Sequence, residues 1–194
     1  MRSTAWLAWT VCAALGACAS QPKEPPRIMM QGFSISAPKE REKTWIVAQQ
    51  SPEITVIGKQ GRFTGESFTM RTTIIKLPAL ASSEALLRYV ESNLRKEIDP
   101  KRFRLSKLET TELTVQQQSC ALSRVEMAER TSSDGTASPV NTMLETMTLT
   151  CPHPQDPLRA INMAYSHRHL PEDVDPQFDQ EGALLMQTLA FEPL

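Results

Sequence analysis

Short runs of alternating apolar and polar residues dominate the first part of the chain. Residues 33–37, 45–48, 54–57 and 68–75 show this pattern, and prolines or glycines separate the runs. Alternation with a period of two is typical of β-strands that bury one face. The pattern therefore predicts three or four strands before residue 78, with a turn at residues 58–61.

One amphipathic helix is predicted after these strands. Five apolar residues recur there at helical spacing, with charged residues on the other face: Leu86, Leu87, Val90, Leu94 and Ile98. Ser82 or Ser83 can cap the first turn. Asp99 precedes Pro100, and a residue before proline is disfavoured in helical geometry, so the helix is expected to end there.

Strand-like patterns return in the second half of the chain. Residues 103–129, 143–151 and 158–169 carry them, and the turn-forming cluster at 132–136 lies between the first two. Asp175 can cap a last helix, with Pro176 at its first position. The apolar face of that helix would consist of Phe178, Leu185, Met186 and Leu189.

The order of these elements predicts the fold class. Consecutive strands without crossover helices pair in antiparallel fashion. We therefore expect one α+β domain, in which a twisted antiparallel sheet has two main helices packed on it.

Composition and charge narrow the range of partners. The chain has 194 residues, 22% of them charged, and a formal net charge of −1. Its length suits one domain with a substantial core. Nucleic acid is not an expected partner, because binding phosphates requires a basic surplus or stripe.

The N-terminal segment differs from the rest of the chain. Arg2 precedes an apolar run at residues 5–15, which is shorter than the roughly 20 residues of a membrane-spanning helix. Such a run is typical of a cleaved signal peptide. The sequence Leu15-Gly16-Ala17-Cys18 that ends it resembles the cleavage and acylation signal of bacterial lipoproteins. A plain signal peptide with an incidental cysteine and an uncleaved anchor remain as alternatives.

The lipoprotein resemblance implies a location. It implies that residues 1–17 are removed and that Cys18 carries a diacylglycerol and an amide-linked acyl chain such as palmitate, which together anchor the protein stably. Ala19 stands where an aspartate favours retention in the inner membrane of Gram-negative bacteria. The resemblance thus implies the outer membrane, with the domain facing the periplasm.

A proline-rich stretch follows the acylation signal. Residues 18–31 include Pro22, Pro25 and Pro26, which disfavour regular structure. We expect a tether of up to about 40 Å and a globular domain at residues 32–194.

Two cysteines remain for the domain. A hairpin centred between Gly135 and Thr136 would pair each residue with its mirror position, which places Cys120 opposite Cys151. Directly opposed residues lie within bridging distance, and an exported protein meets oxidising conditions. The sequence therefore predicts a Cys120–Cys151 disulfide. A redox pair, or a metal pair completed by His153, is the less favoured alternative.

His167 and His169 are the candidate metal ligands. Two residues apart on a predicted strand, they would point to one face, and Glu172, Asp173 and Asp175 follow them. Two imidazoles and a carboxylate can bind zinc. Solvent-facing histidines at a strand end are the simpler interpretation, so no metal or cofactor is assigned from the sequence.

No catalytic residues are identified. No serine lies in a Gly-x-Ser-x-Gly motif, and Ser166 would lie on the opposite strand face from His167. Glu126, Glu129 and Glu145 suit a solvated sheet face better than the paired acids of a glycosidase. Enzymatic activity is therefore not expected.

The order of elements over residues 33–194 resembles the PsbP/Mog1-like α/β/α sandwich, a fold found among small periplasmic lipoproteins. The resemblance rests on topology and carries no diagnostic motif, so it implies a fold and a binding or assembly role but no site residues. We expect a non-catalytic, lipid-anchored interaction or accessory module of the cell envelope, with the membrane and an envelope protein as partners. The alternatives are a periplasmic carrier of a small ligand or metal and, less favoured, an unrecognised hydrolase.

Overall fold

The computed structural model describes residues 27–36, 45–61, 65–129 and 142–194. These residues form an α+β fold with two helices and two antiparallel sheets. The helices are α1 (Ser83–Glu97) and α2 (Phe178–Met186). The strands are β1 (Arg27–Met30), β2 (Phe33–Ser36), β3 (Ile46–Gln50), β4 (Ile54–Gln60), β5 (Ser67–Lys76), β6 (Phe103–Val115), β7 (Gln118–Glu129), β8 (Met143–His153), β9 (Asp156–His169) and β10 (Ala190–Phe191).

The larger sheet has seven strands in the order β3-β4-β5-β9-β8-β7-β6, and every neighbouring pair is antiparallel. The smaller sheet has the order β1-β2-β10. The sequence predicted antiparallel pairing correctly, but it predicted one sheet, and the fold is dominated by its strands more than expected. Neither helix of the described residues is long and apolar enough to cross a membrane.

The two helices lie on opposite faces of the large sheet. Helix α1 buries Leu86 and Val90 in a cluster with Ala160 of β9. Helix α2 buries Phe178, whose ring stacks 5.0 Å from that of Tyr165, also in β9. Because side chains alternate along a strand, Ala160 and Tyr165 point to opposite faces.

The small sheet packs on the same face as α2. Phe33 and Ile35 of β2 are fully buried in the core cluster that also contains Ile57 and Met70 of the large sheet. Burying an apolar side chain of this size contributes about 1.5–3 kcal/mol. The main core therefore lies between the large sheet on one side and β2 with α2 on the other.

The first predicted helix is confirmed. The Ser82 side chain accepts a hydrogen bond of 3.2 Å from the backbone N–H of Ala85, as an N-cap residue does. The helix ends at Glu97, just before Asp99 and Pro100.

The second helix begins later than predicted. Its N-cap residue is Gln177, which makes no side-chain capping bond, so Asp175 is not the cap. The Asp175 carboxylate instead accepts a hydrogen bond of 2.9 Å from the backbone N–H of Gln177 in the preceding turn. Aspartate often bonds the backbone two residues ahead in this way, which competes with capping. The predicted apolar face is correct for Phe178, Leu185 and Met186, which are all buried, whereas Leu189 is buried too but lies beyond the end of α2.

Strand β1 lies inside the stretch predicted to be a tether. Arg27 pairs with Ser36 of β2, and its guanidinium donates hydrogen bonds to the Ser34 hydroxyl at 2.9 Å and to the Thr188 carbonyl at 2.8 Å. These contacts extend the folded domain back to Arg27 from the boundary predicted at residue 32. Cys18 and the signal segment lie outside the described residues.

One turn was placed too early from the sequence, and another was not predicted. Gly58 belongs to β4, which continues to Gln60, so the predicted turn begins later. The stretch 103–129 is β-structure, as predicted, and forms the hairpin of β6 and β7, joined by Gln116 and Gln117 with φ of 45° and 68°. Two-residue hairpin turns with positive φ usually contain Asn or Gly, which this turn lacks. The predicted turn at 132–136 lies outside the described residues.

Candidate functional site

The predicted disulfide is confirmed. Ala121 of β7 pairs with Thr150 of β8, so the next residues outward, Cys120 and Cys151, lie directly opposite each other. Their Cα atoms are 4.4 Å apart and their sulfurs are bonded. Both cysteines are fully buried, which leaves neither a redox pair nor a metal pair with His153 at this position.

The two candidate histidines lie together with an acidic residue from another strand. His167 and His169 point from β9 toward the face that carries α2, and β8 places Glu145 directly opposite His167. Their potential ligand atoms all lie within 4.8 Å of one another. The side chains of His167 and His169 are 0% and 1% exposed, and that of Glu145 is 11% exposed. The interpretation of solvent-facing histidines is therefore wrong, and so is the assignment of Glu145 to a solvated face.

His167 is enclosed by aromatic rings and one carboxylate. Its ring stacks on Phe68 with centroids 4.0 Å apart, and Nε2 lies 3.2 Å from Oε1 of Glu66. Nδ1 is buried and has no hydrogen-bond partner among the described residues. Burial lowers the pKa of His167, although the Glu66 hydrogen bond opposes this, so the ring is neutral at neutral pH.

His169 has the complementary arrangement. Its Nδ1 lies 2.6 Å from the backbone carbonyl oxygen of Leu170. Its Nε2 lies 3.9 Å from Oε1 of Glu145 and, within the described part of the chain, makes no hydrogen bond. The two imidazole rings stack with centroids 4.5 Å apart. In each histidine, one ring nitrogen thus lies at hydrogen-bond distance from an oxygen atom, and the other has no partner within the part of the chain that the structure describes.

Glu145 is a buried carboxylate beside one guanidinium. Burial raises its pKa, and the nearby positive charge of Arg124 works against that rise. Arg124 lies 3.5 Å from Oε2 of Glu145 and 3.6 Å from Glu126, and it pairs with Asp179 on α2. Its guanidinium also lies 4.8 Å from the centre of the Phe178 ring.

The acidic residues that follow His169 do not join this group. Among the described residues, the group at ligand distance consists of Glu145, His167 and His169 alone. Asp175 lies in the turn before α2, where it accepts a backbone hydrogen bond. The sequence suggested the wrong acids because nearness along the chain was the only cue available.

Other candidate residues lie elsewhere. Glu126 is directly opposite Glu145, whereas Glu129 points to the other sheet face and binds Arg168 and Thr142. Ser166 also lies on that other face, where its hydroxyl is 3.0 Å from that of Thr146. No serine–histidine pair is formed by these residues.

The third histidine is fully hydrogen-bonded. Nε2 of His153 lies 3.0 Å from the carbonyl oxygen of Gly32 and 3.1 Å from that of Glu192. Its Nδ1 accepts a hydrogen bond of 3.2 Å from the backbone N–H of Gln155. His153 therefore joins β8 to the β1–β2 turn and the C-terminal segment, which is a structural role.

No protein-family model matches the chain, and a search of curated proteins finds no match either. The resemblances drawn from the sequence therefore stay predictions, and function is argued from the residues themselves.

Proposed function

We propose that this protein is a lipid-anchored accessory module of the bacterial cell envelope that acts by binding. The Cys120–Cys151 disulfide is the observation that carries the proposal. Structural disulfides persist in exported proteins and are rare in a reducing cytosol. The apolar run at residues 5–15 and the sequence Leu15-Gly16-Ala17-Cys18 support export followed by lipidation.

The proposed anchor keeps the domain near the membrane. Arg27, where β1 begins, comes nine positions after Cys18. A proline-rich tether of this length extends by at most about 28 Å. The domain would thus act within the periplasm at short range from the outer membrane. One helix on each face of the large sheet supports the PsbP/Mog1-like resemblance.

Lipid labelling tests this proposal. The full chain and its Cys18→Ala variant are expressed in a Gram-negative host with radiolabelled palmitate, and membranes are separated from soluble protein. We expect the label and the membrane association to depend on Cys18. Cys12→Ala is the matched control, because it changes a cysteine of the same segment and leaves the acylation signal intact. Labelling that persists in Cys18→Ala would contradict the proposal.

A second candidate function is metal binding by the anchored domain. One specific observation favours it. Nδ1 of His167 and Nε2 of His169 are buried and have no hydrogen-bond partner among the described residues, and one ring nitrogen of each histidine lies within 4.8 Å of a Glu145 carboxylate oxygen. This candidate is independent of the lipid anchor.

A further inference from the structure

We propose that Glu145, His167 and His169 form a binding site for one divalent transition-metal ion, best matched by Zn²⁺ or Cu²⁺. The site lies on the face of the large sheet that α2 covers. The neighbouring, hydrogen-bonded strands β8 and β9 supply all three ligands.

The hydrogen bonds of the two rings fix which nitrogen can bind a metal. The Glu66 carboxylate accepts from Nε2–H of His167, which leaves a lone pair on Nδ1. The Leu170 carbonyl accepts from Nδ1–H of His169, which leaves a lone pair on Nε2. Metal-binding histidines show this arrangement, in which the second ring N–H donates to a carboxylate or a backbone carbonyl.

The unpaired nitrogens are the second part of the argument. Leaving a buried polar atom without a partner costs about 1–3 kcal/mol. Two such atoms lie here on stacked rings beside a buried carboxylate, whereas the buried hydroxyl of Thr72, which also lacks a partner among the described residues, lies on another strand of the sheet. A cation placed between the two ring nitrogens would satisfy both lone pairs together.

Charge around the site also favours a cation. Four carboxylates lie at or beside the cluster, and they belong to Glu66, Glu126, Glu145 and Asp179. Among the described residues, two cations lie near these carboxylates and rings: the guanidinium of Arg124, and the ammonium of Lys59, which is 4.1 Å from the centre of the Phe68 ring. The Arg124 guanidinium approaches Oε2 of Glu145, whereas Oε1 of the same carboxylate faces Nε2 of His169. Glu145 can therefore keep its ion pair through one oxygen and bind a metal through the other.

The donor set selects the class of metal. Ca²⁺ and Mg²⁺ prefer oxygen ligands, whereas imidazole nitrogens suit Zn²⁺, Cu²⁺ and Ni²⁺. Bonds of about 2.0–2.1 Å to a tetrahedral Zn²⁺ place ligand atoms roughly 3.4 Å apart. The ligand atoms of the three side chains now lie within 4.8 Å of one another. Side-chain rotations that move each ligand atom inward by about 1 Å would bring them to the tetrahedral spacing. Three protein ligands leave a fourth position for water or another molecule.

Titration of the full chain tests the site. The protein is purified in detergent without a histidine tag, stripped with EDTA, and titrated with ZnCl₂ and CuCl₂ by calorimetry. We expect one ion per chain. His169→Gln and Glu145→Gln should each weaken binding by about 100-fold or more, since each removes one of three ligands. His153→Gln is the matched control and should leave affinity unchanged, because both nitrogens of His153 bind elsewhere.

Glu66→Gln tests the positioning role of Glu66. Loss of an outer carboxylate partner of a metal-bound histidine typically weakens binding by about 10–100-fold. We expect that loss here, with one ion still bound per chain. An unchanged affinity would remove Glu66 from the site.

NMR of the imidazole nitrogens tests the same site in the unsubstituted chain, so it does not depend on whether a variant folds. The chain has three histidines, so the ring signals are few. Adding Zn²⁺ should shift Nδ1 of His167 and Nε2 of His169 and leave both nitrogens of His153 in place. Absence of Zn²⁺ and Cu²⁺ binding, shifts at the other nitrogens, or a buried water bound by the two rings would each overturn the proposal.

Discussion

Strand β8 carries Cys151 near one end and Glu145 near the other, on the same face of the large sheet. About 20 Å of strand separates them. At the cysteine end, Cys151 forms a disulfide bond with Cys120 of the neighbouring strand. At the glutamate end, buried nitrogens of His167 and His169 lack partners among the described residues. One end of the strand thus serves stability, while the other bears a stability cost that a bound ligand would remove.

Removing the disulfide should have the largest effect on stability. The bond joins residues 31 apart in sequence, and the chain-entropy model assigns such a loop about 3–4 kcal/mol. The double variant Cys120→Ala/Cys151→Ala should lose this amount in urea unfolding. Its zinc affinity below the unfolding transition should match that of the parent chain. A large loss of affinity in the folded variant would show that the two ends are coupled.

The three histidines allow a matched pair of substitutions. His153→Ala removes a buried ring and its three hydrogen bonds, at an expected cost of about 3 kcal/mol. His169→Ala removes a similarly buried ring that has one unpaired nitrogen. In EDTA it should cost about 1 kcal/mol less than His153→Ala. Urea unfolding of both variants measures the difference, and an equal or greater cost for His169→Ala would contradict the comparison.

Substitution of Glu129 tests how a carboxylate stabilises the sheet face opposite to the one that carries Glu145. Burial alone would raise the pKa of Glu129, but hydrogen bonds from Thr142, Arg168 and Arg102 lower it below 4.5. A lowered pKa in the folded state means that the ionised carboxylate stabilises the fold above pH 4.5, and that this contribution is lost as the pH falls below it. Glu129→Gln should therefore cost about 1 kcal/mol or less at pH 7, after solvent screening.

Measuring stability as a function of pH provides the control for the Glu129 substitution. Unfolding of the parent chain and Glu129→Gln is compared from pH 7 to pH 3. The difference in unfolding free energy should shrink as the pH drops below 4.5. A difference that stays constant would show that the carboxylate charge is not what stabilises this face.

The smallest predicted effect is a gain in stability from a substitution in the β6–β7 turn, next to the disulfide. Gln117 lies in the β6–β7 turn with φ of 68°, a conformation that costs a non-glycine residue about 1–2 kcal/mol. Glycine adopts it freely but loses more entropy on folding. Gln117→Gly should therefore stabilise the protein by about 0.5–1 kcal/mol in urea unfolding. Gln118→Gly, at the first residue of β7, should destabilise it, and the opposite order would refute the assignment to the turn.

The two ends of β8 also differ in how well the sequence predicted them. Mirror pairing about the Gly135–Thr136 centre places Cys120 opposite Cys151, and the register of β7 and β8 follows that rule without interruption. In the β8–β9 hairpin, the register shifts between Pro152 and His153. An unshifted continuation from the His153–Asp156 pair would place Thr142 opposite His167. The shift brings Glu145 there instead.

Other parts of the site depend on contacts that no local pattern encodes. Alternation correctly predicted that His167 and His169 share a face. Burial of that face depends on Phe178 and Phe68, which come from α2 and from a strand far away in sequence. Glu66 reaches His167 from before β5. Tertiary packing therefore decided whether the predicted pair faced solvent or formed an enclosed site.

The position of Arg27 has a mechanical consequence for a tethered protein. Among the described residues, β1 is an edge strand of the small sheet, and in the lipid-anchored form that we propose, a pull from Cys18 would reach this sheet through Arg27. The Arg27 guanidinium binds Ser34 and Ser36 of β2 and the Thr188 carbonyl near the C-terminus. Tension from membrane movement would therefore be shared at once between the first two strands and the last segment of the chain, so that β1 is not peeled away alone.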